Sequence, residues 1–416
     1  MRFITGDEVG LIKITTFNNE TEPLLANKKL KSKNLNKKPT TNQTKTISLG
    51  KVNRNHSIQK LQFTYQNGIV DKNSIAVAKA NGHIDLWNLS QSKPINEFHI
   101  FEPITNQKTR KNNQFIGLAH IDGLLISSTD NGIVNYTVVN DDLNTHGIKT
   151  MTVSLHQDNL SKMIVHPKFP NIFATGGNER DLCIWDIQSE QEEIKNSSED
   201  KVLLKDLDGN VLKMIKPIWK AKNVRNDKLD MRVNVWITDL QWLNPDNYEE
   251  LLVATGYHHI RTYNTKLQKR PLTSFTFGEY PIKCIAFLKN DSQSEFLISD
   301  TVGNLTSIDS TSGQVVGKYK GIAGAVSGVY ACQNSSHVIS IGLDRHLRVY
   351  EGSAKRRLLQ QTYLKQRLSA LLVDEDWQPE SNVVNEGEDA EADEDVWEGI
   401  PEVEDVKETR KRKNKN

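Results

Sequence analysis

Residues Ile172–Ile187 read IFATGGNERDLCIWDI: an apolar run, a turn over Gly176-Gly177-Asn178-Glu179-Arg180-Asp181, and a second run, LCIW, closed by Trp185-Asp186. Six other stretches share this layout: FITGDEVGLIKITTF (Phe3–Phe17), IAVAKANGHIDLW (Ile75–Trp87), LLISSTDNGIVNY (Leu124–Tyr136), LLVATGYHHIRTY (Leu251–Tyr263), FLISDTVGNLTSI (Phe296–Ile308) and VISIGLDRHLRVY (Val338–Tyr350). Each predicts two strands joined by a tight hairpin. Asn81-Gly82 and Asn131-Gly132 supply the positive φ such turns need. A unit that recurs every few tens of residues cannot bury its apolar face alone, so it stacks on copies of itself.

Upstream of six phrases lies a further run suited to an inner strand: IQKLQFTY, FIGLAHI, SKMIVHP, ITDLQWL, PIKCIAFL and VSGVYAC. Polar–apolar alternation in IQKLQFTY and HIRTY is the period of a strand. Weaker runs such as KPINEFHIF and PLTSFTF fit outer strands. The chain has 416 residues. Setting aside segments that look extrinsic to the repeats, 18–56, 190–220 and 374–416, leaves ~43 residues per phrase, within the ~40–45 of a WD-type blade. The expected fold is all-β: a seven-bladed β-propeller of the WD-repeat type over 1–373, with a tail over 374–416. No inner strand precedes Phe3. RRLLQQTYL and RLSALLV (Arg356–Val373) are therefore expected as the outer and inner strands of the N-terminal blade, joining both chain ends in one sheet and leaving no free edge.

The formal net charge of +1 conceals a split. The tail carries 16 acidic and 6 basic residues, and the preceding chain 47 basic against 36 acidic. A basic body favours polyanionic partners. The 18–56 insert is dense in lysine, opposed only by Glu20 and Glu22. Its composition predicts disorder when free, as a solvated loop or as a contact to a phosphate backbone, which needs cations rather than fixed geometry. The chain ends Arg410-Lys411-Arg412-Lys413-Asn414-Lys415-Asn416, in which Arg410, Lys411, Arg412, Lys413 and Lys415 form a candidate nuclear-localisation cluster. Asp7 and Glu8 speak against a signal peptide, and no run reaches the ~18 apolar residues of a membrane helix. Cys183, Cys284 and Cys332 are widely spaced and expected as core thiols.

No HExxH, Walker-type, GxSxG or spaced Cys/His pattern occurs, so no enzyme, cofactor or metal is expected. His258 and His259, if both on a strand, would point to opposite faces. His166-Pro167 is expected to end an inner strand. Trp87, Trp185 and Trp242 are expected between blades.

The stretch from Trp219 to Leu272 is more distinctive. It contains Ala221-Lys222-Asn223-Val224-Arg225-Asn226-Asp227, Leu229-Asp230-Met231-Arg232-Val233, Thr255-Gly256-Tyr257-His258, Ile260-Arg261 and Arg270-Pro271. With Ala174-Thr175-Gly176-Gly177 through Trp185-Asp186, it resembles the WD-repeat ribosome-biogenesis factors of the Nop-seven-associated type. Lys228, Asn234 and Asn264 depart from that pattern. The resemblance implies a nucleolar, non-catalytic scaffold of large (60S) subunit assembly that binds pre-rRNA and other assembly factors in the pre-60S particle. It also implies release by an AAA-type ATPase. A substrate adaptor for another complex, such as a ubiquitin ligase, is the alternative.

NVRNDKLDMRVNVW lies just before the inner strand ITDLQWL, so it is the loop from an outer to an inner strand. Such loops share a face with the turns between middle strands. Asn178, Glu179, Arg180, Lys222, Asn223, Arg225, Asn226, Asp227, Asp230, Arg232, Tyr257, His258 and Arg261 are accordingly the candidate partner-binding residues, because loops on rigid scaffolds carry recognition. The same charges could instead satisfy one another and stiffen the loop.

Overall fold

The computed structural model describes residues 1–16, 45–66, 69–99, 113–121, 123–139, 150–187, 204–205, 211–226, 228–289, 294–353 and 355–377. Within Met1–Trp377 these form seven sheets, each with an antiparallel set of inner, two middle and outer strands, to which blade 3 adds two further short strands at its rim. All seven sequence phrases are the middle pairs. In the fourth blade, for example, Ile172–Gly177 pairs with Arg180–Asp186, Phe173 opposite Trp185. The inner strands Ile58–Gln66, Phe115–Ile121, Leu160–Val165, Ile237–Trp242, Ile282–Lys289, Val326–Ala331 and Leu368–Asp374 pack side by side in a closed cycle. The fold is the seven-bladed propeller that the repeats predicted.

The core lies between blades. Phe173 and Trp185 stack in parallel, 6.2 Å between centroids. The Trp185 indole donates to Thr175 Oγ1 at 2.8 Å, so the buried ring keeps its polar atom bonded. Trp87 is buried likewise, and Trp242 packs partly buried against the cluster between blades 4 and 5. Cys183 and Cys332 are buried and Cys284 half-buried.

Closure follows the expectation for the inner strand but not for the outer one. Leu368–Asp374 lies antiparallel to Arg2–Asp7, with Phe3 opposite Val373. Leu358–Tyr363 instead completes blade 7, beside His346–Glu351. The outer strand of blade 1 is Thr46–Leu49, paired with Ile12–Thr16, so the expected insert 18–56 ends inside the propeller. Residues 46–48 are exposed, as suits an outer strand, and such residues carry no apolar signal.

The expected insert 190–220 is also part structural. Trp219–Lys220 is the outer strand of blade 4, and Val211–Met214 runs parallel to Thr150–Ser154 at the rim of blade 3. Ile215 is buried in the adjoining cluster. Covering an outer edge satisfies backbone groups otherwise left open to other chains. The tail begins later than 374. Asp374 is buried, and Glu375 accepts from the Tyr330 hydroxyl (3.1 Å) and the amides of Gln333 (3.2 Å) and Asn334 (3.0 Å).

Candidate functional site

The chain leaves blade 4 at Lys220 and enters blade 5 at Ile237, and the intervening segment is held at both ends. At its base, the Lys222 amide donates to Lys269 O (2.8 Å) and Arg270 Nε to Asn223 O (3.3 Å). The Asn223 side chain donates to Val233 O (2.5 Å) and accepts from the Val224 amide (2.8 Å), drawing the two limbs together. At the tip, Asn226 Nδ2 donates to the carbonyl (3.1 Å) and carboxylate (2.9 Å) of Asp230. Asp230 has φ +57°, a left-handed conformation that Asp tolerates better than most residues.

The far limb is stitched to the middle-strand turns of both neighbouring blades. The Glu179 amide donates to Val235 O (2.7 Å) and the Gly256 amide to Trp236 O (2.8 Å). Asn178 forms a β-bridge with Trp236. A Cβ on Gly256 would sit 2.1 Å from the Trp236 ring, so glycine is what lets the indole lie over this turn. Trp236 meets Tyr257 edge-on at 6.0 Å. The Arg232 guanidinium reaches Glu179 at 3.4 Å, with both side chains about half-exposed.

Most of the candidate residues thus come together at the rim of blades 4 and 5: Asn178, Glu179, Lys222, Asn223, Arg225, Asn226, Asp230, Arg232, Tyr257 and His258. Arg180 borders them but turns aside, donating to the Asp158 carbonyl (2.9 Å) and pairing with its carboxylate. Arg261 is not on the exposed rim: it is only 4 % exposed, on an inward strand position between blades 4 and 5, where it lines a small cavity with Lys222, Asn223, Thr255 and Tyr263 at the base of the loop. Asp227 and the cluster Arg410, Lys411, Arg412, Lys413 and Lys415 lie outside the described residues.

His258 and His259 are not both on the strand, so the opposite-face condition does not apply, and His258 lies in the middle-strand turn where the candidate site placed it. It sits there at φ +51°, and its ring stacks on His259 at 5.7 Å. Burial lowers the His259 pKa, with the charges of Arg261 and then His258 adding to it, so this ring is poised to stay neutral. His166 is fully buried. Its Nδ1 accepts from the amides of Lys168 and Phe169 (3.2 Å each), clamping the turn after its strand.

Three contributors escaped the reading of charges: Leu229, Met231 and Trp236. Leu229 is 78 % and Met231 61 % exposed at the loop tip. The signal was their alternation with charged residues in LDMR, which resembles a half-buried strand although the segment forms none. A fixed rim mixing exposed apolar side chains with arginines is suited to recognition.

No protein-family profile matches the chain. It is 33% identical over 292 residues to WD repeat-containing protein 74 of Bos taurus, covering 68% of each chain. To the protein of that name from Homo sapiens it is 32% identical over 321 residues, covering 72% of this chain and 75% of that one. It is 24% identical over 437 aligned positions to ribosome biogenesis protein nsa1 of Schizosaccharomyces pombe, covering 99% of each. With such identity over two thirds of both chains, the protein belongs to the family of WD repeat-containing protein 74.

Proposed function

We propose that this protein is a non-catalytic assembly factor of ribosome biogenesis, a scaffold that docks on the precursor of the large subunit. The observation that carries the reading is the rim loop 222–236, pinned to two blades yet exposing Arg225, Leu229, Met231 and Arg232. Support for the biological setting comes from a relative named for ribosome biogenesis that aligns along 99% of both chains. Pre-rRNA and other assembly factors are the partners in this reading. Release by an AAA-type ATPase belongs to it through the family resemblance alone. Residence in the nucleus and nucleolus follows, with Arg410, Lys411, Arg412, Lys413 and Lys415 as the import signal.

The test is affinity purification of the tagged full chain, followed by gradient sedimentation and identification of bound RNA and protein. The expected outcome is co-sedimentation with large-subunit precursors, lost when Arg225 and Arg232 are both replaced by Glu. Recovery of ubiquitin-ligase subunits in place of preribosomal components would overturn the reading. Replacing the five basic C-terminal residues with Ala should reduce nuclear accumulation of a fluorescent fusion, and undiminished signal removes them as the import signal.

A further inference from the structure

All seven inner strands carry the same irregularity. Their pairing with the adjacent middle strand slips near the strand start: between Ile58 and Lys60, Phe115 and Gly117, Leu160 and Lys162, Ile237 and Asp239, Ile282 and Cys284, and Val326 and Gly328. In blade 1 the slip skips Ser369, between Leu368 and Ala370. A bulge re-aims the side chains that follow it. The residues after the bulge are Lys60, Gly117, Lys162, Asp239, Cys284, Gly328 and Ala370. Six of them line one cavity of about 440 Å³ among the inner strands, and Lys60, Gly117 and Lys162 line an adjoining one of about 250 Å³.

The charges on this wall do not balance. Asp239, the one carboxylate among the seven, is already engaged: Lys162 lies 2.8 Å from its Oδ1, and its two oxygens accept from the amides of Leu240 and Ile285 at 3.0 Å each. Lys60 has no ion-pair or hydrogen-bond partner among the described residues. Burial, and then the charge of Lys162, push its pKa down to about 8. A half-buried ammonium with no partner is destabilising. The corresponding positions in the two blades flanking Lys60 are Ala370 and Gly117, neither of which brings a charged or hydrogen-bonding side chain to it. Gln59, on the same wall, is oriented by accepting from the Phe115 amide at 2.7 Å, which leaves its Nε2 as a further donor.

We propose that this cavity is a binding site for a small oxyanion of the phosphate type, held between the ammonium groups of Lys60 and Lys162. Phosphate suits the wall better than a halide. Its several oxygens accept from donors on different blades at once, and its negative charge neutralises the excess cation. Both inorganic phosphate and the phosphate end of a small monoester fit the volume.

The experiment compares melting of the full chain in millimolar inorganic phosphate, in glycerol phosphate, and in chloride at matched ionic strength. Phosphate also stabilises proteins by exclusion from their surfaces, so the decisive quantity is the difference between variants. The native chain should gain several degrees that Lys60→Gln does not gain, while Lys318→Gln, exposed on the outer strand Val315–Tyr319 of blade 6, keeps the gain. Lys60→Gln should itself melt no lower than the native chain without phosphate, because it removes an unpaired charge from the half-buried cavity wall. Lys60→Met and calorimetric titration of phosphate give independent readings should that variant fold poorly. A gain with glycerol phosphate as well identifies a monoester site, and a gain with inorganic phosphate alone identifies a site for the free ion. Equal gains in the native chain and both Lys60 variants, or no gain in any, would overturn the proposal.

Discussion

Arg2 and Asp374 form an ion pair at 3.0 Å with both side chains buried, across the seam where Arg2–Asp7 meets Leu368–Asp374. The same guanidinium donates to Lys72 O at 2.6 Å in blade 2, and Lys72 lies 3.2 Å from the other oxygen of Asp374. The pair therefore locks the closing strand and ties blade 1 to its neighbour.

Breaking a buried pair on one side costs about 3–5 kcal/mol, so Asp374→Ala should melt visibly below the native protein. A chain ending at Trp377 should keep the native melting temperature. One ending at Arg367 loses the closing strand, opens the edge of Arg2–Asp7, and should aggregate or fail to fold. One ending at Val373 should fall between them. Equal melting of the chains ending at 377 and 367 would refute closure by this strand.

The Arg232–Glu179 pair is exposed, and such pairs contribute about 0–1 kcal/mol. Arg232→Glu should therefore leave the melting curve nearly unchanged while weakening association with the large-subunit precursor. A collapsed curve would make Arg232 a structural residue instead.

Gly256→Ala should force Trp236 aside and cost about 1–3 kcal/mol, the usual range for overpacking. Paired with Trp236→Leu, which frees the space, it should cost much less than the two single changes added together. Additive losses in a double-mutant cycle of melting measurements would mean that the ring does not pin this turn.

Stability should fall on mild acidification. Burial is the leading cause of the lowered pKa values of His166, His259 and His337. Below about pH 6.5 the unfolded chain binds protons that these folded rings refuse, so unfolding gains. Their contribution is whole above that pH and declines as pH falls through the lowered folded values. Melting curves at pH 7, 6 and 5 should show a progressive drop, and a flat profile would contradict it.

The seven hairpins were legible in the sequence because their causes are local. Two-residue periodicity, Asn-Gly turns and closing aromatics lie within some fifteen residues, and their number implied the ring. The rim loop was legible for the same reason, since its place between an outer and an inner strand assigns it a face. The outer strands were the weak point. Thr46–Leu49 and Trp219–Lys220 are held by backbone pairing to a neighbouring strand, and their largely exposed side chains leave no apolar pattern to read. The fate of individual charges was decided only in three dimensions. Arg261, Asp374, Lys60 and Arg232 are equally polar as letters. One is buried between blades, one seals the ring, one faces the axial cavity and one lies exposed on the rim. What separates them is burial and partnering by residues tens to hundreds of positions away, which only the closed ring brings together.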